Sequence, residues 1–171
     1  MNLIVGAGKT VYPGWISSDF HMLDIRDQNQ WSAYFRQQSI DRILAEHVLE
    51  HLSESENRIV VELCYKFLKP SGRLRIAVPD GYRPDENYAK EVAPPADGHQ
   101  ILFNVNSLSR LLSDAGFVVT PLEYFDAAGQ FHYEDWNALD GQVNRSIRYD
   151  RQEAFRYGEL YYTSLVVDGI K

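Results

Sequence analysis

The sequence holds one cysteine, Cys64, and so no intramolecular disulfide, the usage of a chain kept in a reducing compartment. No apolar run approaches the length of a membrane-spanning helix. The opening residues, Met1-Asn2-Leu3-Ile4-Val5-Gly6, lack the basic stretch, apolar run and cleavage site of an export signal, so a cytoplasmic location is expected. Basic charge is also in short supply. With 17 Lys and Arg against 24 Asp and Glu, the formal charge is -7, a field that repels polyanions and disfavours nucleic acid as a partner. The one basic cluster, Arg145, Arg148 and Arg151, is interrupted by Asp150 and reads as a solvated face. Repeats, linkers and low-complexity tracts are missing too, and 171 residues with 44% hydrophobic content fit a single domain, 1–171, able to bury its own core.

What is present is an alternation of short apolar runs with helical periods. Residues 2–7 form an apolar run ending in glycine, the pattern of a buried parallel strand feeding a tight loop. Pro13-Gly14 marks a turn, and 15–20 reads as a second strand with Asp19 near its end. Residues 23–27 alternate apolar with polar and read as a strand, as do 40–45, with a short helical piece at 31–37 between them. Ser53 and Glu56 make a capping box ahead of Ile59, Leu63, Cys64, Phe67 and Leu68 at helical spacing, and Lys69-Pro70 and Gly72 end that helix. A strand over 73–78 stops at Pro79-Asp80-Gly81, and 82–100, with Pro84, Pro94 and Pro95, reads as a loop-rich connection. Leu108, Leu111, Leu112 and Ala115 mark another helix, capped by Gly116, before strands over 117–125 and 163–168. Strands separated by helices predict an α/β fold with a mostly parallel sheet.

In such a sheet, ligands bind beyond the carboxyl ends of the strands, where Gly6 and Gly8 fall in the loop after the first strand. A phosphate-binding P-loop needs a glycine where Leu3 stands, and the dinucleotide fingerprint needs one where Val11 stands, which argues against a nicotinamide-dependent oxidoreductase. A glycine pair alone can be a mere turn. Asp19, at the end of the second strand, is placed to accept bonds from ribose hydroxyls, although it could equally cap a turn.

With these blocks in order, the chain resembles the class I S-adenosylmethionine-dependent methyltransferases. LIVGAGKTVYPGWISSD is similar to the family's first motif and the acidic end of its second strand, and LDIRD to its third block. IDRILAEHVLEHL resembles the fourth strand and following turn, FLKPSGRLRIAVPD the lead into the fifth strand, and LLSDAGFVV the late helix and sixth strand. The resemblance implies a Rossmann-like fold with a seven-stranded, mostly parallel sheet and an antiparallel last strand. It implies S-adenosylmethionine as cofactor, with Gly6, Ala7 and Gly8 behind its methionine portion and Asp19 on its ribose. Ile25, Arg26 and Asp27 would border the adenine, Asp24 competing with Asp27 for that role, and Ala45, Glu46 and His47 would close the pocket. Thr10 stands where the family usually has a third glycine, and 9–14 is too short for a long first helix, so that helix is expected to be abbreviated. No covering N-terminal helix precedes the first strand, and a lid is expected from elsewhere or from a second subunit.

His47, Glu50 and His51 would share one helix face and could grip a divalent ion, but the run reads more simply as a capping and hydrogen-bonding element, and no metal is assigned. Methyl transfer is an in-line displacement that needs a base only when the acceptor has a proton to lose. Asp80 and His99 are the candidates for that role, His99 equally readable as a structural loop residue. Residues 126–160, with Phe131, His132, Tyr133, Trp136, Tyr149, Phe155 and Tyr157, could line a small-molecule acceptor site or pair two copies as a homodimer. Two activities stay open: methyl transfer to a small acceptor, or a non-catalytic module that binds a partner or senses the cofactor.

Overall fold

In the computed structural model, which describes residues 1–148 and 163–171, seven strands form one mixed sheet. They are β1 (Asn2–Val5), β2 (Trp15–Ser17), β3 (Ile40–Glu46), β4 (Leu68–Val78), β5 (Val118–Phe125), β6 (Phe131–Tyr133) and β7 (Leu165–Ile170). Their order is β2-β1-β3-β4-β7-β5-β6. The β1–β2, β1–β3 and β3–β4 pairs are parallel, and β7 runs antiparallel to both of its neighbours, β4 and β5. The mostly parallel α/β sheet with an antiparallel last strand is therefore as expected.

Side chains of the central strands alternate between two unlike faces, as a period of two requires. Leu3, Val5, Ile43, Ala45, Leu74, Ile76, Val78, Leu165 and Val167 turn toward the helices α1 (Gln28–Tyr34), α2 (Glu54–Phe67) and α4 (Val105–Asp114). There Trp31 stacks on Phe67 at 5.2 Å, and Val60, Cys64, Leu108 and Leu112 complete a continuous core. Ile4, Leu44, Ala77 and Val166 turn the other way, where Trp136 and Val143, rather than a long helix, cover them.

That second face also holds a charged staple. Arg75 and Asp168 are register partners on β4 and β7, each 1% exposed. The carboxylate accepts from Arg75 Nε at 2.7 Å and Nη2 at 2.8 Å, and also from Arg73. Arg75 Nη1 donates to the carbonyls of Asn137 and Gly141, and its guanidinium lies 4.7 Å from the Trp136 ring centre. A buried charge is tolerated when its hydrogen bonds are all met, and here they also fasten the covering segment to the sheet.

Local chemistry explains the elements. Ser53 Oγ accepts from Glu56 N while Glu56 Oε2 accepts from Ser53 N, the reciprocal capping box that starts α2. No helix forms between β1 and β2, as the short span predicts; Thr10 N donates to Ala7 O and the chain simply turns.

Residues 23–27 are not a strand. Asp24 Oδ1 accepts from Arg26 N and Asp27 Oδ1 from Asn29 N, so both aspartates bind nearby backbone and turn the chain into α1, while Leu23 and Ile25 reach the core around Trp31. The seventh strand is instead β6, paired with β5 across a turn in which Asp126 Oδ1 accepts from Ala128 N and Gln130 N. Within 82–100 a helix, α3 (Glu86–Val92), starts where Asp85 accepts from Asn87 N and Tyr88 N. No helix among the described residues is long and apolar enough to cross a membrane.

Candidate functional site

The carboxyl ends of the parallel strands bring the glycine loop, Asp19, His47 and Asp80 to one edge of the sheet. Gly6 leaves β1 with φ +60°, and a Cβ there would meet Val48 Cγ2 at 2.4 Å. Only glycine fits, because the loop after β1 is pressed against the turn after β3. Ala7 N donates to Ser18 O and Ser18 Oγ to Ile4 O, which ties the loop to the end of β2. Gly8 has open space where its Cβ would be.

Asp19 follows Ser18 on this edge; Oδ1 accepts from His21 N at 3.2 Å, and Oδ2 has no partner among the described residues. Arg26 is held by Asp24 on one side and by Glu56 at the start of α2 on the other, with the Phe20 ring 5.6 Å away. Bonding to Arg26 pulls the Asp24 carboxyl below its usual range. Of the two candidates for the adenine side, Asp24 is thus committed to Arg26, whereas Asp27 caps α1.

Ala45, at the end of β3, is buried. Glu46 and His47, its neighbours, use polar atoms within the chain. Glu46 Oε1 accepts from Arg145 N at 2.8 Å, and His47 Nε2 lies 2.9 Å from Ser164 Oγ. Asp80, after β4, is 1% exposed, with Oδ1 accepting from Tyr82 N and Oδ2 from Phe125 N. Burial drives its pKa up, against those two hydrogen bonds and the charge of Arg83.

His99 approaches from the connection ahead of α4. Its Nδ1 is 2.8 Å from Val92 O, which can only accept, so Nδ1 carries a proton and, in the neutral ring, Nε2 carries the lone pair. The His99 ring meets His51 edge-on at 4.9 Å. What the sequence did not disclose is how 99–101 is sewn to 50–51. Gln100 N and Ile101 N both donate to Glu50 O, and Gln100 Nε2 donates to His51 O. Buried Asn57 donates to Leu49 O, Leu52 O and Ser53 O, fixing the short turn that carries Glu50 and His51. The only sequence signal was an asparagine ahead of Val60, Val61 and Cys64 on the buried face of α2.

Of the aromatic stretch, Trp136 is buried with Nε1 donating to Glu123 Oε1, and Val143 and Ile147 are buried beside it. Phe131 and His132 pair with β5, and Tyr133 is 39% exposed. Tyr149, Phe155, Tyr157 and Arg151 lie outside the described residues. A separate cleft of about 780 Å³ opens between α2 and α4, lined by Arg58, Ile101, Phe103, Arg110 and Leu111. It flanks the helices rather than the glycine loop, and its two arginines are paired with Glu54 and Asp114.

No protein-family model and no curated protein sequence matches the chain. Solved structures do. An S-adenosylmethionine-dependent methyltransferase from Archaeoglobus fulgidus superposes with a TM-score of 0.58 at 15% identity over 99% of this chain and 85% of that one. The chain has the class I methyltransferase fold. A second S-adenosylmethionine-dependent methyltransferase, from Mesorhizobium loti, gives a TM-score of 0.52 at 12% identity over 99% of this chain and 90% of that one. The CurJ carbon methyltransferase gives 0.58 at 16% identity and 99% coverage, but this chain spans only 47% of its length. At such identities the likeness is one of fold.

Proposed function

We infer that this protein binds S-adenosylmethionine against the Gly6–Gly8 loop and moves its methyl group to a small-molecule acceptor. The carrying observation is the fit at Gly6, where positive φ and the contact with Val48 exclude any side chain and leave backbone facing the sheet edge. Gly6, Ala7 and Gly8 would flank the methionine portion of the cofactor, Asp19 would accept from its ribose through the open Oδ2, and Ile25 to Asp27 would border its adenine. When bound, the cofactor supplies a methyl group already activated on a sulfonium, so the chain's own task is to orient the acceptor and keep water away. Asp80, with both oxygens bonded to backbone, serves to hold the loop after β4 rather than to take a proton. A cytoplasmic site of action is part of this reading.

The test is calorimetric titration of the purified protein with S-adenosylmethionine and S-adenosylhomocysteine, with NAD as control. Micromolar binding of the first two alone supports the reading, and its loss in Asp19→Ala places the ribose. No binding of either sinks it. A second reading, a module that senses the cofactor or binds a partner without turnover, is favoured by Glu46 and His47 being engaged with Arg145 and Ser164. It predicts cofactor binding with no methyl transfer to any acceptor in a broad screen.

A further inference from the structure

Glu50 is 1% exposed, yet neither carboxylate oxygen has a hydrogen-bond partner among the described residues. His47 Nδ1 lies 2.9 Å from Oε1 but out of hydrogen-bond alignment. A carboxylate without donors is costly to bury, so native proteins pair it or place it on a metal. One ligand atom from each of Glu50, His51 and His99 lies within 4.8 Å of the other two. We propose that Glu50, His51 and His99 form a binding site for a divalent transition-metal ion of the zinc type, with one coordination position left open.

The donor set selects the ion. Two imidazoles with one carboxylate suit zinc and its first-row neighbours, whereas calcium and magnesium prefer oxygen alone. Three protein ligands with a vacant fourth position are the arrangement of sites that also take water or an exogenous ligand. His99 is prepared for the role: Nδ1–H is fixed on Val92 O, which orients the ring and leaves Nε2 as the donor. The backbone around the site is equally fixed, since Gln100 N and Ile101 N are bonded to Glu50 O and the turn at 49–51 is clamped by Asn57. Gly98, with φ +76°, passes so near that a Cβ there would be 3.9 Å from His51 Nδ1. Tetrahedral ligands around zinc stand about 3.3 Å apart, so the atoms must draw together slightly on binding. That movement falls to His51, the most exposed of the three, whose ring has no hydrogen bond among the described residues to lose.

The site stands apart from the methyl-transfer reading, and its test has no activity readout. Tag-free protein is dialysed against buffered Zn2+ and its metal content measured, alongside Tm as a function of Zn2+ concentration. The wild-type chain is expected to hold one ion and to gain Tm with Zn2+. Glu50→Gln and His51→Ala should each weaken binding by about tenfold or more and abolish the Tm rise, while His21→Ala, on the exposed turn after β2, leaves both intact. His51→Ala removes an accessible ring and keeps the fold, so it decides the matter even where Glu50→Gln does not fold. Absence of bound Zn2+ in the wild-type chain, or undiminished binding in His51→Ala, overturns the proposal.

Discussion

Asp168 and Glu50 are equally withdrawn from water, each 1% exposed, and the fold treats them in opposite ways. Asp168 sits between strands with both oxygens bonded to arginine, and its partner Arg75 is in turn bonded to the segment that covers the sheet. Glu50 sits on a short turn at the edge where the parallel strands end, its carbonyl accepting from Gln100 N and Ile101 N and its carboxylate, without a hydrogen bond among the described residues, facing only His47 Nδ1 at 2.9 Å. The first buried charge is explained by the fold that surrounds it. The second has only the His47 ring beside it, and a buried charge so thinly compensated inside an otherwise consistent structure is where a site is to be sought.

That contrast can be broken most forcefully at Asp168. Asp168→Asn leaves the Arg75 guanidinium buried without its counter-charge and should cost about 3–5 kcal/mol in chemical denaturation. Glu50→Met, of similar size, should do the reverse in metal-free buffer, raising stability by about 1–3 kcal/mol as an unsatisfied group is removed. A loss like that of Asp168→Asn would erase the distinction between the two.

Asp80 is an intermediate case, buried but bonded only to backbone N–H groups. Because burial raises its folded pKa, the protonated form is the one the fold prefers. Its contribution is greatest below the ordinary value of 3.8 and is lost as pH rises through the raised value, so Tm should decline over that window. Asp80→Asn should flatten that part of the curve.

The smallest effect belongs to Glu56, at the surface. Ser53 backbone and hydroxyl donors, with Arg26, hold its carboxyl down at about 2 against an ordinary 4.5. Its stabilisation is complete above 4.5 and fades as pH falls toward about 2, so Glu56→Gln should lower stability slightly at neutral pH and converge on the wild-type chain toward pH 2, making acid unfolding in that range less steep.

Where the information is local, the sequence was readable. The Ser53–Glu56 box, the helical period through Cys64 and Phe67, and the apolar runs of the central strands each announce themselves within a few residues. Residues 23–27 show the limit: Leu23 and Ile25 alternate like a strand, but Asp24 and Asp27 offer the backbone nearer acceptors and the chain turns. β6 is three residues long and exists through its pairing with β5, and α3 was hidden among prolines although Asp85 caps it. His47, Glu50 and His51 are close in sequence, yet the residue that joins Glu50 and His51 is His99, while His47 lies between the Glu50 carboxylate and Ser164. No spacing rule reaches across that separation; the backbone bonds of Gln100 and Ile101 make the connection.

The place of β7 bears on how such a chain is made. β7, which follows β4, β5 and β6 in the sequence, sits between β4 and β5 and alone joins β2-β1-β3-β4 to β5-β6 among the described residues. Without β7 each part would present a bare edge of unpaired amide groups, open to stray strands from other chains. Insertion of residues 165–170 seals both edges at once and brings Asp168 to its arginines, and Lys171 then fastens the join by donating to Tyr65 O and Leu68 O at the end of α2. Closing the sheet and completing the buried charge pair are therefore the same act of strand insertion.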